Sequence, residues 1–306
     1  LTGNNLAGNV MYGIELGVLY RGERELCFLP LAHAYSCAFN FLVPMAVGAH
    51  VYLLGKVPSP KILLKAFEEV KPNLILTVPL ILEKIYKKMI LPQLSKTTMK
   101  VALNIPLLDS RIYAQIRKKL VDAFGGRFRE VIVGGAAMNE EVTNFLYKIK
   151  FPFTIGYGMT ECGPLISYDH NDEYVPGSCG QILKGIMKVR IDSEDPYNKV
   201  GEIQVSGENV MKGYYKNEEA TSKVFTEDGW LRTGDLGTID ADNRIYIRGR
   251  SKTMILGASG QNIYPEEIES KLNNLPFVME SIIIEKNGKL VGLVYPDYDT
   301  VDSTGI

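Results

Sequence analysis

The sequence predicts an α/β protein: a mostly parallel sheet with flanking helices, then a small antiparallel β subdomain, then a partial α+β domain after a hinge. Three observations carry this. Short apolar runs closed by Pro or Gly alternate with amphipathic helical segments through residues 1–173, the order of a parallel sheet with crossover helices. From 174 to 251 the runs become short and alternating, separated by Gly, Asp and Asn, as in antiparallel strands. After Arg250 a helical stretch and two strand-like runs follow, which sets 252–306 apart as an incomplete mobile domain.

The elements follow in order. Residues 26–55, LCFLPLAHAYSCAFNFLVPMAVGAHVYLLG, contain no Asp, Glu, Lys or Arg and are long enough to cross a bilayer. Pro30, His33, Asn40, Pro44, Gly48 and His50 interrupt the stretch, so it reads as a buried strand, a helix and a second strand. KILLKAFEEVK (61–71) has helical apolar spacing, and NLILTVP (73–79) is a short apolar run suited to a buried parallel strand. Residues 110–123 form a basic amphipathic helix stopped near Gly125 and Gly126. REVIVGGAAM (129–138) is a strand entering a glycine turn, NEEVTNFLYKI (139–149) a helix capped by Asn139, and FPFTIGYG the next strand. MKVRIDS, GEIQVSG, WLRTGDLGTID and NRIYIRGR are the antiparallel runs; YPEEIESKLNNLP (264–276) is a helix, and 278–296 holds two strands.

Composition narrows the function. The 306 residues are 46% hydrophobic and 23% charged with a net charge of −1, which offers nothing to attract nucleic acid. An enzyme or small-ligand binder fits better. Cys27, Cys37, Cys162 and Cys179 form no CxxC pair and no metal-like spacing with His33, His50 or His170, so they read as free thiols in a reducing compartment. The chain begins at Leu1 with no methionine or signal peptide, as expected for a piece of a longer polypeptide.

Four stretches carry candidate chemistry. In FPFTIGYGMTECGPLIS (151–167), Gly156 and Gly158 let a ligand approach the backbone, and Tyr157 offers a flat face to a nucleobase. Thr160 can donate to a phosphate oxygen and Glu161 can hold Mg2+. A tight turn with surface polar residues explains the same letters. Gly134 and Gly135 in VIVGGAAM are a second turn after a strand, and adjacent parallel strands would set both turns along one edge. In GWLRTGDLG (229–237), Asp235 could accept two ribose hydroxyls; at ~1.5–3 kcal/mol for each bond to a charged group the pair would matter to nucleotide affinity. An Asp-Gly turn is the rival. IYIRGRSKTMILGASGQNIYPEEIE (245–269) places Arg248, Arg250 and Lys252 beside a glycine-rich loop, either for phosphate or ribose oxygens or as a solvated basic linker.

Together, FLPLAHAYS, IGYGMTECGP, GEIQVSGENVMKGYYKN…GWLRTGDLG and IRGRSKTMILGASGQNIYPEEIE resemble the adenylate-forming acyl-CoA synthetases, or AMP-binding enzymes, in order and spacing over nearly the whole chain. The resemblance implies ATP-dependent activation of a carboxylate to an acyl-adenylate, then thioester formation with coenzyme A. It implies that Tyr157 stacks on adenine, and that Gly134, Gly135 and Ala136 line the adenine and acyl pockets. Thr160 would hold the AMP phosphate and Glu161 the Mg2+, with Gly156 and Gly158 framing the loop. Asp235 would grip the ribose beside Ile247, with Arg250 reaching the nucleotide. His33 matches the histidine of the family's PxxHxx stretch near the carboxylate and the thiol path, Lys252 the interdomain hinge, and Gly260 the pantetheine path.

Two family features fall outside these residues: the Ser/Thr/Gly-rich phosphate loop, expected before LTGNN, and a lysine expected beyond Ile306. The segment alone is therefore expected to be inactive. Residues 34–54 lack the Asp that amino-acid-activating members use, and SGQNIYPEEIE resembles long-chain fatty acyl-CoA synthetases, so a medium- or long-chain fatty acid is the expected substrate. Loading of an acyl carrier protein and non-catalytic binding of a nucleotide or acyl-adenylate are the alternatives. A cytoplasmic location is expected, with peripheral membrane contact through the substrate. No pattern sets the oligomeric state.

Overall fold

A computed structural model describes residues 1–94, 96–105, 108–256, 261–298 and 301. The chain divides into two compact units, Leu1–Lys188 with Ser206–Lys223, and Val189–Val205 with Val224–Ile306.

The first unit is built on a parallel sheet of five strands: β1 (Arg24–Cys27), β2 (His50–Leu53), β3 (Leu74–Thr77), β4 (Glu130–Val133) and β5 (Phe153–Ile155). Their order is β2-β1-β3-β4-β5. β3, β4 and β5 are buried at every residue, so their apolar letters run together rather than alternate, with Thr77, Glu130 and Thr154 buried among them. β2 is an edge strand, and Tyr52 and Leu53 are exposed there. The uncharged stretch therefore forms a buried strand, a helix and a strand at the sheet's rim. Its helix, Ala34–Ser36 continuing to Val43–Val47, widens into a π turn at Cys37–Leu42. Among the described residues no helix is long and apolar enough to cross a membrane.

Local chemistry sets the helix ends. Ser59 caps helix Pro60–Val70 by accepting from the Ile62 amide, with Pro60 at the first helical position. Asn139 accepts from the Glu141 and Val142 amides to start helix Glu140–Lys148, whose first turn carries Glu140 and Glu141 against the positive end of the helix dipole. Aromatic rings fill the space between sheet and helices: Phe67 lies 5.8 Å from Phe28 and 5.1 Å from Phe124, and Phe124 lies 5.8 Å from Phe151. Burying each such ring contributes roughly 1.5–3 kcal/mol.

A short hairpin, β6 (Tyr157–Gly158) with β7 (Leu165–Ser167), follows β5 directly. The antiparallel sheet comprises β8 (Met187–Asp192), β9 (Gly201–Gly207), β10 (Leu231–Ile239) and β11 (Ile245–Arg250), in the order β11-β10-β9-β8. Beyond it come a two-residue pair, β12 (Ile255–Leu256) with β13 (Asn262–Ile263), and a hairpin, β14 (Val278–Lys286) with β15 (Lys289–Pro296). Helix Pro265–Leu272 is shorter than the sequence suggests. It covers one face of the hairpin, where the Glu269 carboxylate accepts from the Ile283 amide at 2.7 Å.

Candidate functional site

The predicted residues fall in both units. In the first unit they gather at the carboxyl edge of the parallel sheet, where open α/β folds bind ligands. Gly134, Gly135 and Ala136 leave the end of β4, and Gly156, Tyr157 and Gly158 the end of β5. β4 and β5 are hydrogen-bonded neighbours with Val133 opposite Ile155, so the two glycine turns stand side by side as predicted. The Gly156 amide donates to Val133 O at 2.9 Å, closing the second turn onto the first strand. His33 lies beyond β1 and is exposed; its Nδ1 accepts from the Tyr35 amide at 3.3 Å. Tyr35 is buried and donates to Ile132 O at 3.1 Å, while its ring lies 3.4 Å from where a Gly134 Cβ would stand. Through Tyr35 the His33 segment and the Gly134 turn meet.

The glycines serve close approach more than unusual angles. Gly135 has φ +91°, but Gly134, Gly156 and Gly158 lie outside the left-handed region. A Cβ on Gly158 would stand 2.3 Å from Pro164 O, so the hairpin closes only on a residue without a side chain. Tyr157 is 7% exposed and pairs with Ser167.

Thr160 and Glu161 occupy the turn between β6 and β7, Thr160 exposed and Glu161 half-buried. Glu161 is held at both ends. Its backbone carbonyl accepts from the Met211 amide at 2.7 Å, and its Oε1 accepts from the Tyr214 hydroxyl at 2.8 Å. Burial and that bond raise the Tyr214 phenol to about 12, so it is a donor throughout the neutral range. Next to it, burial pushes the Cys162 thiol far up, which leaves that sulfur inert.

Three buried asparagines that sequence reasoning missed anchor this loop. Asn9 donates to Asn5 O at 2.8 Å and to Cys162 O at 3.1 Å, and its Oδ1 accepts from the Leu165 amide at 2.8 Å. Asn5 donates to Glu208 O and Val210 O, and Asn209 to Leu165 O. Helix Gly3–Glu15 thus ties the Glu161 loop to the 208–214 segment that supplies Tyr214. Asn5 and Asn9 are four apart on one helix face, a spacing visible in the sequence; their partners about 150 and 200 residues away are not.

In the second unit, Asp235 on β10 is paired in register with Arg250 on β11, and Arg250 Nε lies 3.0 Å from the buried Asp235 carboxylate. The register of β10 shifts around this point, and Gly234 has φ +75°. Such an irregularity re-aims a side chain, here the aspartate. The Thr233 hydroxyl donates to Ile203 O and accepts from the Asp235 amide. Ile247 is opposite Gly237, half-buried. Lys252 is exposed in a turn closed by the Thr253 and Met254 amides on Arg250 O. Gly260 lies outside the described residues.

Among the described residues no cluster of three or more His, Cys, Asp or Glu could hold a metal by protein ligands alone. Glu161 by itself fits Mg2+, which keeps several waters and is commonly held by one carboxylate together with substrate phosphates.

A family model described as AMP-binding enzyme matches residues 1–215. Long-chain-fatty-acid–CoA ligase 1 of Saccharomyces cerevisiae is 28% identical over 298 residues, covering 90% of this chain and 43% of its own length. 4-Coumarate-CoA ligase 1 of Narcissus pseudonarcissus is 30% identical over 272 residues, covering 85% of this chain and 44% of its own. The chain thus spans less than half the length of these relatives. Among solved structures, o-succinylbenzoate CoA synthetase of Bacillus subtilis in complex with its acyl-adenylate intermediate superimposes with a TM-score of 0.72 at 25% identity, over 96% of this chain and 55% of that one.

Proposed function

The chain belongs to the AMP-binding enzyme family, and from that premise we propose that the whole protein activates a medium- or long-chain fatty acid with ATP and transfers the acyl group to coenzyme A. The observation that carries this reading is the Thr160–Glu161 turn, set beside the Gly134 turn at the carboxyl edge of the sheet and held by Met211 and Tyr214.

In the first step a carboxylate oxygen bonds to the α-phosphorus of ATP as the bond to the β-phosphate oxygen breaks, releasing pyrophosphate. In the second, the thiolate of coenzyme A bonds to the acyl carbon and AMP leaves. Thr160, exposed beside the turn, donates its hydroxyl to the α-phosphate, where charge accumulates as phosphorus becomes five-coordinate. Glu161 would hold Mg2+, which when bound would supply positive charge beside the phosphate oxygens. Tyr214 holds that carboxylate in one orientation. Tyr157 and the 134–136 turn frame the adenine, and Asp235, braced by Arg250, takes the ribose hydroxyls. His33 borders the acyl carboxylate and Lys252 is the hinge about which residues 252–306 turn between the two steps.

The fatty-acid choice rests on the absence of Asp and Glu from residues 34–54, which removes the partner an amino group would need, and on likeness to a ligase named for long-chain fatty acids. A named coumarate ligase at similar identity makes aryl acids the competitor. Pyrophosphate–ATP exchange by the full-length protein, run with fatty acids of increasing length, coumarate and amino acids, separates these. Exchange that requires a fatty acid supports the reading; exchange only with an aryl or amino acid replaces the substrate. No exchange with any acid, from folded protein that binds ATP, replaces it with a non-catalytic binding module.

A further inference from the structure

Residues 134–138 carry the chain from the end of β4 to helix Glu140–Lys148. Gly135, Ala136 and Ala137 are exposed, so burial gives this turn little rigidity. Its near end is fixed by backbone and packing. The Gly134 amide donates to Thr77 O at 3.1 Å. The Tyr35 ring and Val78 stand 3.4 and 3.7 Å from where Cβ atoms on Gly134 and Gly135 would lie. Thr77 ends β3 and Val78 opens helix Pro79–Ile85.

The far end depends on a side chain from that same helix. Met138 rests half-buried on the core, a contact without direction. Asn139 uses its Oδ1 on the Glu141 and Val142 amides. Its own amide lies ahead of the helix and must find an acceptor outside it. Glu83 Oε1 is that acceptor, at 2.8 Å and from 56 residues earlier in the chain. Glu83 is half-buried, a costly place for a carboxylate that makes no hydrogen bond. Burial pushes its carboxyl up, while the Asn139 amide and the charge of Lys87 pull it back down. The end of β3 and the helix that follows it thus hold the turn at both ends.

We propose that Glu83 is a positioning residue for the nucleotide: by holding the Asn139 amide it keeps residues 134–136 in the shape that receives adenine. This role rests on the adenylation reading above, in which that turn frames the adenine. Capping of helix Glu140–Lys148 is the rival role, and it would leave nucleotide affinity untouched. The Asn139 side chain already supplies that cap, so the leverage of the Glu83 bond falls on the turn.

The test compares full-length wild type with Glu83→Ala, which removes the acceptor, and Glu83→Gln, which keeps one. Pyrophosphate–ATP exchange gives kcat and KM for ATP, and hydrogen exchange reads the Asn139 amide. Glu83→Ala should raise KM for ATP about 10-fold with kcat within about 3-fold of wild type, and Glu83→Gln should restore KM. In the wild type, ATP should slow exchange at the Asn139 amide more than at the amides of β3, a readout that needs no variant. An unchanged KM in Glu83→Ala, whatever its melting temperature, would overturn the proposal. So would a Glu83→Gln protein as impaired as Glu83→Ala, or an Asn139 amide that ATP protects no more than β3. Wild type without acid-dependent exchange would instead overturn the adenylation reading, and this role with it.

Discussion

Asn9 is fully buried and makes three hydrogen bonds, two of them to the loop that presents Thr160 and Glu161. Asn9→Ala strips the Leu165 amide of its acceptor and the Cys162 and Asn5 carbonyls of a donor. No water replaces them easily, because Cys162 and Leu165 are themselves buried. A buried polar group left unpaired costs about 1–3 kcal/mol. Two poorly compensated groups on the loop therefore predict a loss of about 2–6 kcal/mol, concentrated on the β6–β7 turn. The assay is urea denaturation combined with hydrogen exchange at the Leu165 amide. Exchange there should accelerate by at least about 30-fold, equivalent to about 2 kcal/mol, while amides of β3 and β4 change no more than global stability requires. Asn9→Asp keeps the acceptor for Leu165 but turns a carboxylate toward Cys162 O, so it should do no better near neutral pH. Unchanged Leu165 protection in Asn9→Ala would refute the claim that this side chain anchors the loop.

The other predictions can be checked on the same protein. Tyr214→Phe removes the donor from Glu161 Oε1 and should weaken Mn2+ binding in the presence of ATP, read by electron paramagnetic resonance, by about 10–100-fold, with little change in melting temperature. Arg250→Ala should lower ATP affinity in calorimetry by about 10-fold or more, because it leaves the buried Asp235 without its cation. Glu25 is pushed up to about 8 by burial, against a hydrogen bond from Asn40 that lowers it. Its folded pKa lies above the unfolded value, so the fold favours the protonated form. Stability should therefore fall as pH rises from about 4 through 8, by up to about 1.4 kcal/mol per pH unit, and Glu25→Gln should flatten that slope in urea midpoints. His170 is raised by its hydrogen bond to Glu130, so its contribution is complete below about pH 6.5 and lost as pH rises through its folded value. Glu130 is pushed up by burial but lowered on balance by hydrogen bonds from His170 and Tyr168, so its contribution is lost on acidification through its folded value. His170→Asn should remove the first limb and leave less of the second.

Elements whose signals are local were legible in the sequence. The Asn139 cap, the buried β3 and β4 runs and the Gly134 turn all rest on residues within one or two turns of each other. The hairpin at 278–296 was legible for the same reason, since its turn and both strands are contiguous. The rim position of β2 was not, because its letters are as apolar as those of a central strand and only the sheet order leaves it without a second neighbour. Gly158 was singled out as a place where a ligand could approach the backbone, and the close approach found there is that of Pro164 O across the turn. The Asp235–Arg250 pair was present as two separate candidates, and the β10–β11 register made them partners.

Residue type and spacing by themselves determined the alternation of strand and helix, the family pattern and the identity of Thr160, Glu161 and Asp235 as candidates, since these depend on periodicity and short motifs. Only the tertiary structure decided what holds those candidates in place. Asn9 reaches Cys162 and Leu165, and Tyr214 reaches Glu161, across separations of 153, 156 and 53 residues. No local pattern encodes such contacts. They exist because the parallel sheet carries its strand ends to one edge, and the chain returns there to satisfy polar groups that burial would otherwise leave unpaired.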